Sequence, residues 1–178
     1  VPHAPPVADV DFDQILRDLL TNRESRDLGP EQALLLYCKT LATALSAHVA
    51  GIWTLNKATG TLDARLVWDR DTCDSENGTD LTHRTAGRPV DEVDQDQIVA
   101  IADTRTDPRW GAPTPEAGSS AELRAVLECP LHTPSGLTGV VSIGNKRAPR
   151  EWTAREISFA AAVAGLISLA RLCCAKAG

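Results

Sequence analysis

The strand pattern around which the rest of the chain is organised lies between residues 123 and 145. Two runs rich in apolar and β-branched residues flank Thr-Pro-Ser-Gly, where Pro134 presets a turn φ and Gly136 is free to take φ > 0. The pattern predicts two neighbouring antiparallel strands. In the second run Leu137, Gly139, Val141 and Ile143 alternate with Thr138, Val140, Ser142 and Gly144, so both faces are apolar or small. That composition places the strand at the centre of a sheet covered twice. Glu128 interrupts the first run, and an inward carboxylate is costly unless paired or protonated. It is therefore expected on a wet face or facing a partner.

Elsewhere the periods alternate between helix and strand. Phe12, Ile15, Leu16, Leu19 and Leu20 make one helical stripe, with Asp9 or Asp11 available as N-cap. Pro30 suits the first position of a second helix burying Leu34, Leu35, Cys38, Leu41 and Leu45, while Leu36 and Tyr37 widen its stripe. Residues 50–56 and 62–69 read as strands carrying Trp53 and Trp68, joined by a loop containing Gly60. Residues 70–88 read as a long mobile connection, 96–102 as a short strand, and 103–120 as a loop with three prolines. In the last helix Thr153 and Glu156 form a capping box, with Trp152 and Ile157 at the staple positions. Phe159, Val163, Leu166, Ile167, Ala170 and Cys174 are assigned to its sheet-packing side, and Ala161, Ala164, Gly165 and Ser168 to a strip of small residues opposite.

The 178 residues fit one domain with appended helices. A net charge of −6 opposes nonspecific binding to nucleic acid or to anionic membrane. No stretch reaches the roughly 20 apolar residues of a membrane span. Five cysteines, including the vicinal Cys173 and Cys174, follow neither a disulfide framework nor a metal spacing, so a reducing cytoplasm is expected. The opening Val-Pro-His-Ala-Pro-Pro is neither a signal peptide nor a native initiator end, so a processed or excised piece is expected; the lack of any methionine means either missing residues or chance. His3, His48, His83 and His132 stand in no ligand spacing, and no Ser/His/Asp arrangement, phosphate loop or paired-carboxylate motif stands out. Neither a metal site nor catalysis is expected, and nothing names a cofactor.

The run "LRAVLECPLHTPSGLTGVVSIGNK" with the helix opening at "EWTAREISFAAAVAGLISLA" resembles the second half of a GAF domain, a sensory module of bacterial signalling proteins. Upstream, "HVAGIWTLNKATGTLDARLVW" is similar to that family's first hairpin, and "QIVAIADTRTDPRW" to its middle strand and following turn. The resemblance implies an α/β (α+β) fold with a central antiparallel sheet of about five or six strands, order 2-1-5-4-3. Helices near 9–24, 30–48 and 153–175 would cover one face and long loops the other. Residues 1–29 would form an extension with an amphipathic helix, and 30–178 the GAF domain with its signalling helix.

Asn145, Lys146, Trp152 and Glu156 are similar to the signature of cyclic-nucleotide-binding GAF domains, but Trp replaces Phe, Glu replaces Asp, and Ile157 stands where the final acid belongs. A structural ion pair between Lys146 and Glu156 is the preferred reading. Sulfoxide-reducing relatives cluster cysteines over the pocket. Here Cys38 is on a helix, Cys73 in a loop and Cys129 on a strand, so buried inert thiols are expected at 38 and 129. The Cys-His pair of bilin-binding relatives is absent.

A pocket on the loop side would be built from Trp53, Trp68, Asp103, Arg105, Trp110 and Glu128, an apolar wall with a few polar groups. The tryptophans could equally be core. The expected function is a non-catalytic module that binds an unidentified small molecule within a larger signalling protein, of histidine kinase or cyclase type, whose effector is absent from this chain. The alternatives are a free methionine sulfoxide reductase and a dimerisation module without ligand. A homodimer on the terminal helices is expected, using the strip Ala161, Ala164, Gly165 and Ser168.

Overall fold

The computed structural model describes residues 10–21, 28–76, 98–110 and 123–175. Its elements are α1 (Phe12–Thr21), α2 (Pro30–Ala44), β1 (Val49–Asn56), β2 (Thr61–Asp69), β3 (Asp74–Glu76), β4 (Val99–Ile101), β5 (Ala125–Thr133), β6 (Gly136–Asn145) and α3 (Ala154–Ala175). All strand pairings are antiparallel, in one six-stranded sheet of order β3-β2-β1-β6-β5-β4. This is the expected order with one extra edge strand. β3 is the polar tripeptide Asp-Ser-Glu, which carries no strand signal, and it lies within the expected connection 70–88. The rest of that connection, most of the loop 103–120 and the expected covering of the second sheet face fall outside the described residues.

Local chemistry fixes the element ends. Asp11 Oδ1 accepts the Gln14 amide at 2.9 Å, making Asp11 the cap of α1. α2 begins at Pro30 and stops at Ala44, earlier than expected, because Ser46 turns left-handed (φ 49°) and the Ala47 amide donates back to Ala42 O at 2.8 Å. Gly136 has φ 105° in the β5–β6 turn, so its lack of a side chain is required there.

One face of the sheet carries the helices. Leu34, Cys38, Leu41 and Leu45 of α2 and Phe159, Ala160, Val163 and Ile167 of α3 pack onto Ala50, Ile52, Leu66, Leu127, Cys129, Leu131, Val141 and Ile143. Each large side chain fully buried here contributes about 1.5–3 kcal/mol. α1 lies outside this layer and packs its stripe against it, with Phe12 stacked on Phe159 at 4.6 Å.

Two expectations about α3 need correction. Ala164 is 3 % exposed and belongs to the core, so the strip of small residues is interrupted; Gly165 is exposed, and Ala161 and Ser168 are half-buried. Leu166 is only half-buried, whereas Ala160 is fully inside. The stripe therefore runs through 159, 160, 163, 164 and 167, the i, i+1, i+4, i+5, i+8 face of a helix on a sheet. The side chain of Cys174 falls outside the described residues.

Candidate functional site on the second face of the sheet

The second face is built differently. Trp53, Leu62, Val67 and Val140 form one apolar cluster. Ile101, Trp110, Leu123 and Val126 form another. Between them runs a cross-strand row, Val67–Gly51–Ser142–Glu128–Val99, read from the pairing of β2, β1, β6, β5 and β4. Glu128 and Ser142 in this row are each 5 % exposed. The floor is small as well as polar: a Cβ on Gly51 would lie 2.6 Å from the Trp53 ring, so the indole rests across that glycine. A buried carboxylate and serine between two tryptophan-bearing clusters have the composition of a small-molecule site, apolar with a few placed polar groups.

Of the six residues expected to line a pocket, Trp53, Trp110 and Glu128 share this face. Trp68 does not. It packs into the helix-side core, and the Lys39 ammonium sits 4.5 Å from its ring centre. The cause is a β-bulge: Ile52 pairs with Leu66 but Trp53 with Ala64, leaving Arg65 as an extra residue. Strict alternation from Leu62 would put Trp68 beside Trp53, and the one-residue insertion reverses every side chain after it.

Asp103 and Arg105 are also displaced from the expected lining. Asp103 shapes the turn after β4: its Oδ1 accepts the Arg105 amide at 3.1 Å, and it pairs with Arg124 at 3.1 Å. The Arg105 amide, then the Arg124 guanidinium, hold its carboxyl below the usual range. The Arg105 side chain is exposed. Beyond this turn Arg109 donates to Ala100 O at 3.0 Å and Trp110 completes a short 3₁₀ turn.

The expected Lys146–Glu156 ion pair is not formed. Lys146 instead pairs with Asp69 across the β1–β2–β6 end of the sheet. Burial alone would raise the Asp69 pKa, but the Lys146 ammonium and the Asp71 amide outweigh it and the net shift is downward. Glu156 pairs with Arg150, whose guanidinium also donates to Leu45 O at 2.7 Å and lies 4.3 Å over the Trp152 ring. The capping box is present: Glu156 Oε2 accepts the Thr153 amide at 2.8 Å, and Thr153 Oγ1 accepts the Glu156 amide at 3.2 Å. Arg150 was missed because a basic residue before a cap carries no periodic signal. Gly51 and Ser142 were missed as site residues because the cross-strand register that aligns them with Glu128 is a tertiary fact.

Two of the described thiols stand on the face opposite the candidate site. Cys38 and Cys129 both lie in the helix-side core, where burial pushes each pKa up to about 12, with the Glu128 charge adding to the effect at Cys129. Cys73 is exposed in the turn before β3. Among the described residues no group of His, Cys, Asp and Glu is arranged to hold a metal ion, and no helix is long and apolar enough to cross a membrane. A separate open concavity of about 300 Å³ lies on the helical side between α1 and α3, lined by Phe12, Leu16, Arg155 and Phe159 among others.

Comparison with known proteins bears on this architecture directly. The GAF domain family model matches residues 29–170. A GAF domain of a phosphoenolpyruvate-protein phosphotransferase from Coxiella burnetii superposes with TM-score 0.70 at 18 % identity, covering 93 % of this chain and 95 % of that one. The free methionine-R-sulfoxide reductase of Neisseria meningitidis gives TM-score 0.69 at 12 % identity, covering 94 % and 92 %. A GAF domain from Synechocystis, in its photoproduct state, gives 0.64 at 17 % identity, covering 83 % and 99 %. At these identities the structural likeness shows the fold alone. No curated protein sequence matches the chain. With its match over residues 29–170 and its sheet order, the chain belongs to the GAF domain family.

Proposed function

We propose that this GAF domain is a non-catalytic sensory module that binds a small molecule on the second sheet face and reports to an effector through α3. The observation that carries the reading is the burial of Glu128 and Ser142 between the Trp53 and Trp110 clusters, on a face that no described helix covers. A carboxylate there selects a ligand that presents a cation or an N–H or O–H donor at that point. The Ser142 hydroxyl, paired across the strands with Glu128, adds a second polar group. The effector is of histidine kinase or cyclase type, and the buried unbridged Cys38 and Cys129 suit a bacterial cytoplasm.

The sulfoxide reductase reading finds less support, because Cys38 and Cys129 point to the opposite face with thiols held protonated. Methionine sulfoxide turnover with a thiol reductant would establish it. We also propose that two copies pair through the terminal helices. Leu169 at 60 % and Leu20 at 54 % exposure remain open, although α1 already covers part of α3 within one chain.

The test is a thermal-shift screen of small metabolites, with mass spectrometry of whatever copurifies, since a ligand bound to the folded state raises its melting temperature. A compound that stabilises the protein and loses at least about tenfold in affinity in Glu128→Gln supports the reading. A hit that is indifferent to Glu128 moves the site elsewhere.

A further inference from the structure

β4 is a three-residue edge strand with contacts toward both faces of the sheet. It pairs with β5 through only Val99, Ala100 and Ile101. Ile101 is fully buried, with its side chain in the Trp110 cluster of the second face. Its carbonyl serves the other side, accepting the Trp152 indole N–H at 3.2 Å. One residue on, Ala102 O accepts the Arg150 amide at 3.0 Å. Arg150 and Trp152 stack on each other, and Arg150 bonds both Glu156 in the first turn of α3 and Leu45 O at the end of α2. Thr153 and Glu156 between them cap α3.

From these contacts we propose that β4 and the Arg150–Trp152 clamp couple the second face to the start of α3. Displacement of Ile101 on the Trp110 side shifts the carbonyls that hold Trp152 and Arg150, and so loosens the cap of α3. Hydrogen bonds weaken steeply with misalignment, so a small movement of the acceptor suffices. A three-residue edge strand opens at lower cost than the central β1–β6–β5 ladder. Arg150 and Trp152 act as positioning residues here, through Glu156 and through the β4 carbonyls. The coupling gains its sensory role only on the reading that the second face binds a ligand. It is testable without one, so its failure and the failure of that reading are separable.

The experiment is a double-mutant cycle on the whole chain, with Trp110→Leu perturbing the second face and Trp152→Phe removing the indole donor while keeping an aromatic ring over Arg150. The readouts are amide hydrogen exchange at Glu156 and Ile157 and the Trp152 indole N–H resonance. Trp110→Leu is expected to speed exchange at these two amides about tenfold more than at Leu41 and Leu45 in α2, and to shift the indole resonance. In the Trp152→Phe background the same substitution should add less than about twofold at Glu156 and Ile157. Equal acceleration in both backgrounds, or one uniform change across all amides, would overturn the proposal. If Trp110→Leu does not fold, Ile101→Val perturbs the same cluster by one methylene and is held to the same criteria.

Discussion

The two faces of the sheet share every strand and differ in almost everything else. On the helix side one continuous cluster joins α2, α3 and four strands through residues that are nearly all aliphatic and fully buried. On the other side two small clusters are parted by a glycine, a serine and a carboxylate. The first arrangement maximises buried apolar area. The second sets a carboxylate and a hydroxyl in buried positions, where apolar side chains would have served packing alone. Leu127 and Glu128, neighbours on β5, show the contrast at one peptide bond. On the proposed reading, stability and binding are divided between faces rather than between segments of the chain.

The largest effect should come from the helix side. Phe159→Ala removes a 2 % exposed ring that also holds Phe12 of α1, and should cost about 3–5 kcal/mol by urea denaturation. A loss under about 1 kcal/mol would mean that the helix layer is not the seat of stability. At the boundary between the faces, Arg150→Ala leaves Glu156 buried without its cation and should cost about 3–5 kcal/mol in the same measurement. Glu156→Gln should cost less, because the amide oxygen still accepts from Thr153. Reversal of that order would show that the charge matters more than the cap.

On the second face, Gly51→Ala drives a methyl into the Trp53 indole, and a cost of about 1–3 kcal/mol with a shift in tryptophan fluorescence is expected. Unchanged fluorescence would mean that the indole does not rest on Gly51. Acid stability should report on Asp69. Its folded pKa is depressed, so its contribution is complete above the ordinary aspartate value and is lost as pH falls through the lower folded value. Asp69→Asn should therefore flatten the acid limb of stability against pH, and an unchanged limb would rule out the Lys146 pairing in solution. The smallest effect concerns reactivity: Cys38 and Cys129 should resist iodoacetamide in the native protein at neutral pH, and rapid modification at either would contradict their burial.

Much of this fold was legible in the sequence, because its signals are local. The Pro134–Gly136 turn, the Thr153–Glu156 box, Pro30 at a helix start and the α1 stripe each depend on residues within a few positions of one another. The site was legible only in part. Glu128 announces itself as a carboxylate in an apolar strand. The bulge at Arg65 that sends Trp68 to the other face leaves no trace in composition, and the exchange of partners that gives Lys146 to Asp69 and Glu156 to Arg150 depends on which strand ends meet. Long-range register decided those cases.

The most direct test of the division between faces compares Leu127→Ala with Glu128→Gln, two adjacent substitutions that point in opposite directions. Each variant is carried through urea denaturation and through thermal shift with the compound recovered from the native protein. Leu127→Ala should lose about 2–5 kcal/mol of stability and keep the ligand-induced shift. Glu128→Gln should lose the shift with a smaller change in stability. A ligand-induced shift that survives Glu128→Gln and disappears in Leu127→Ala would contradict the account.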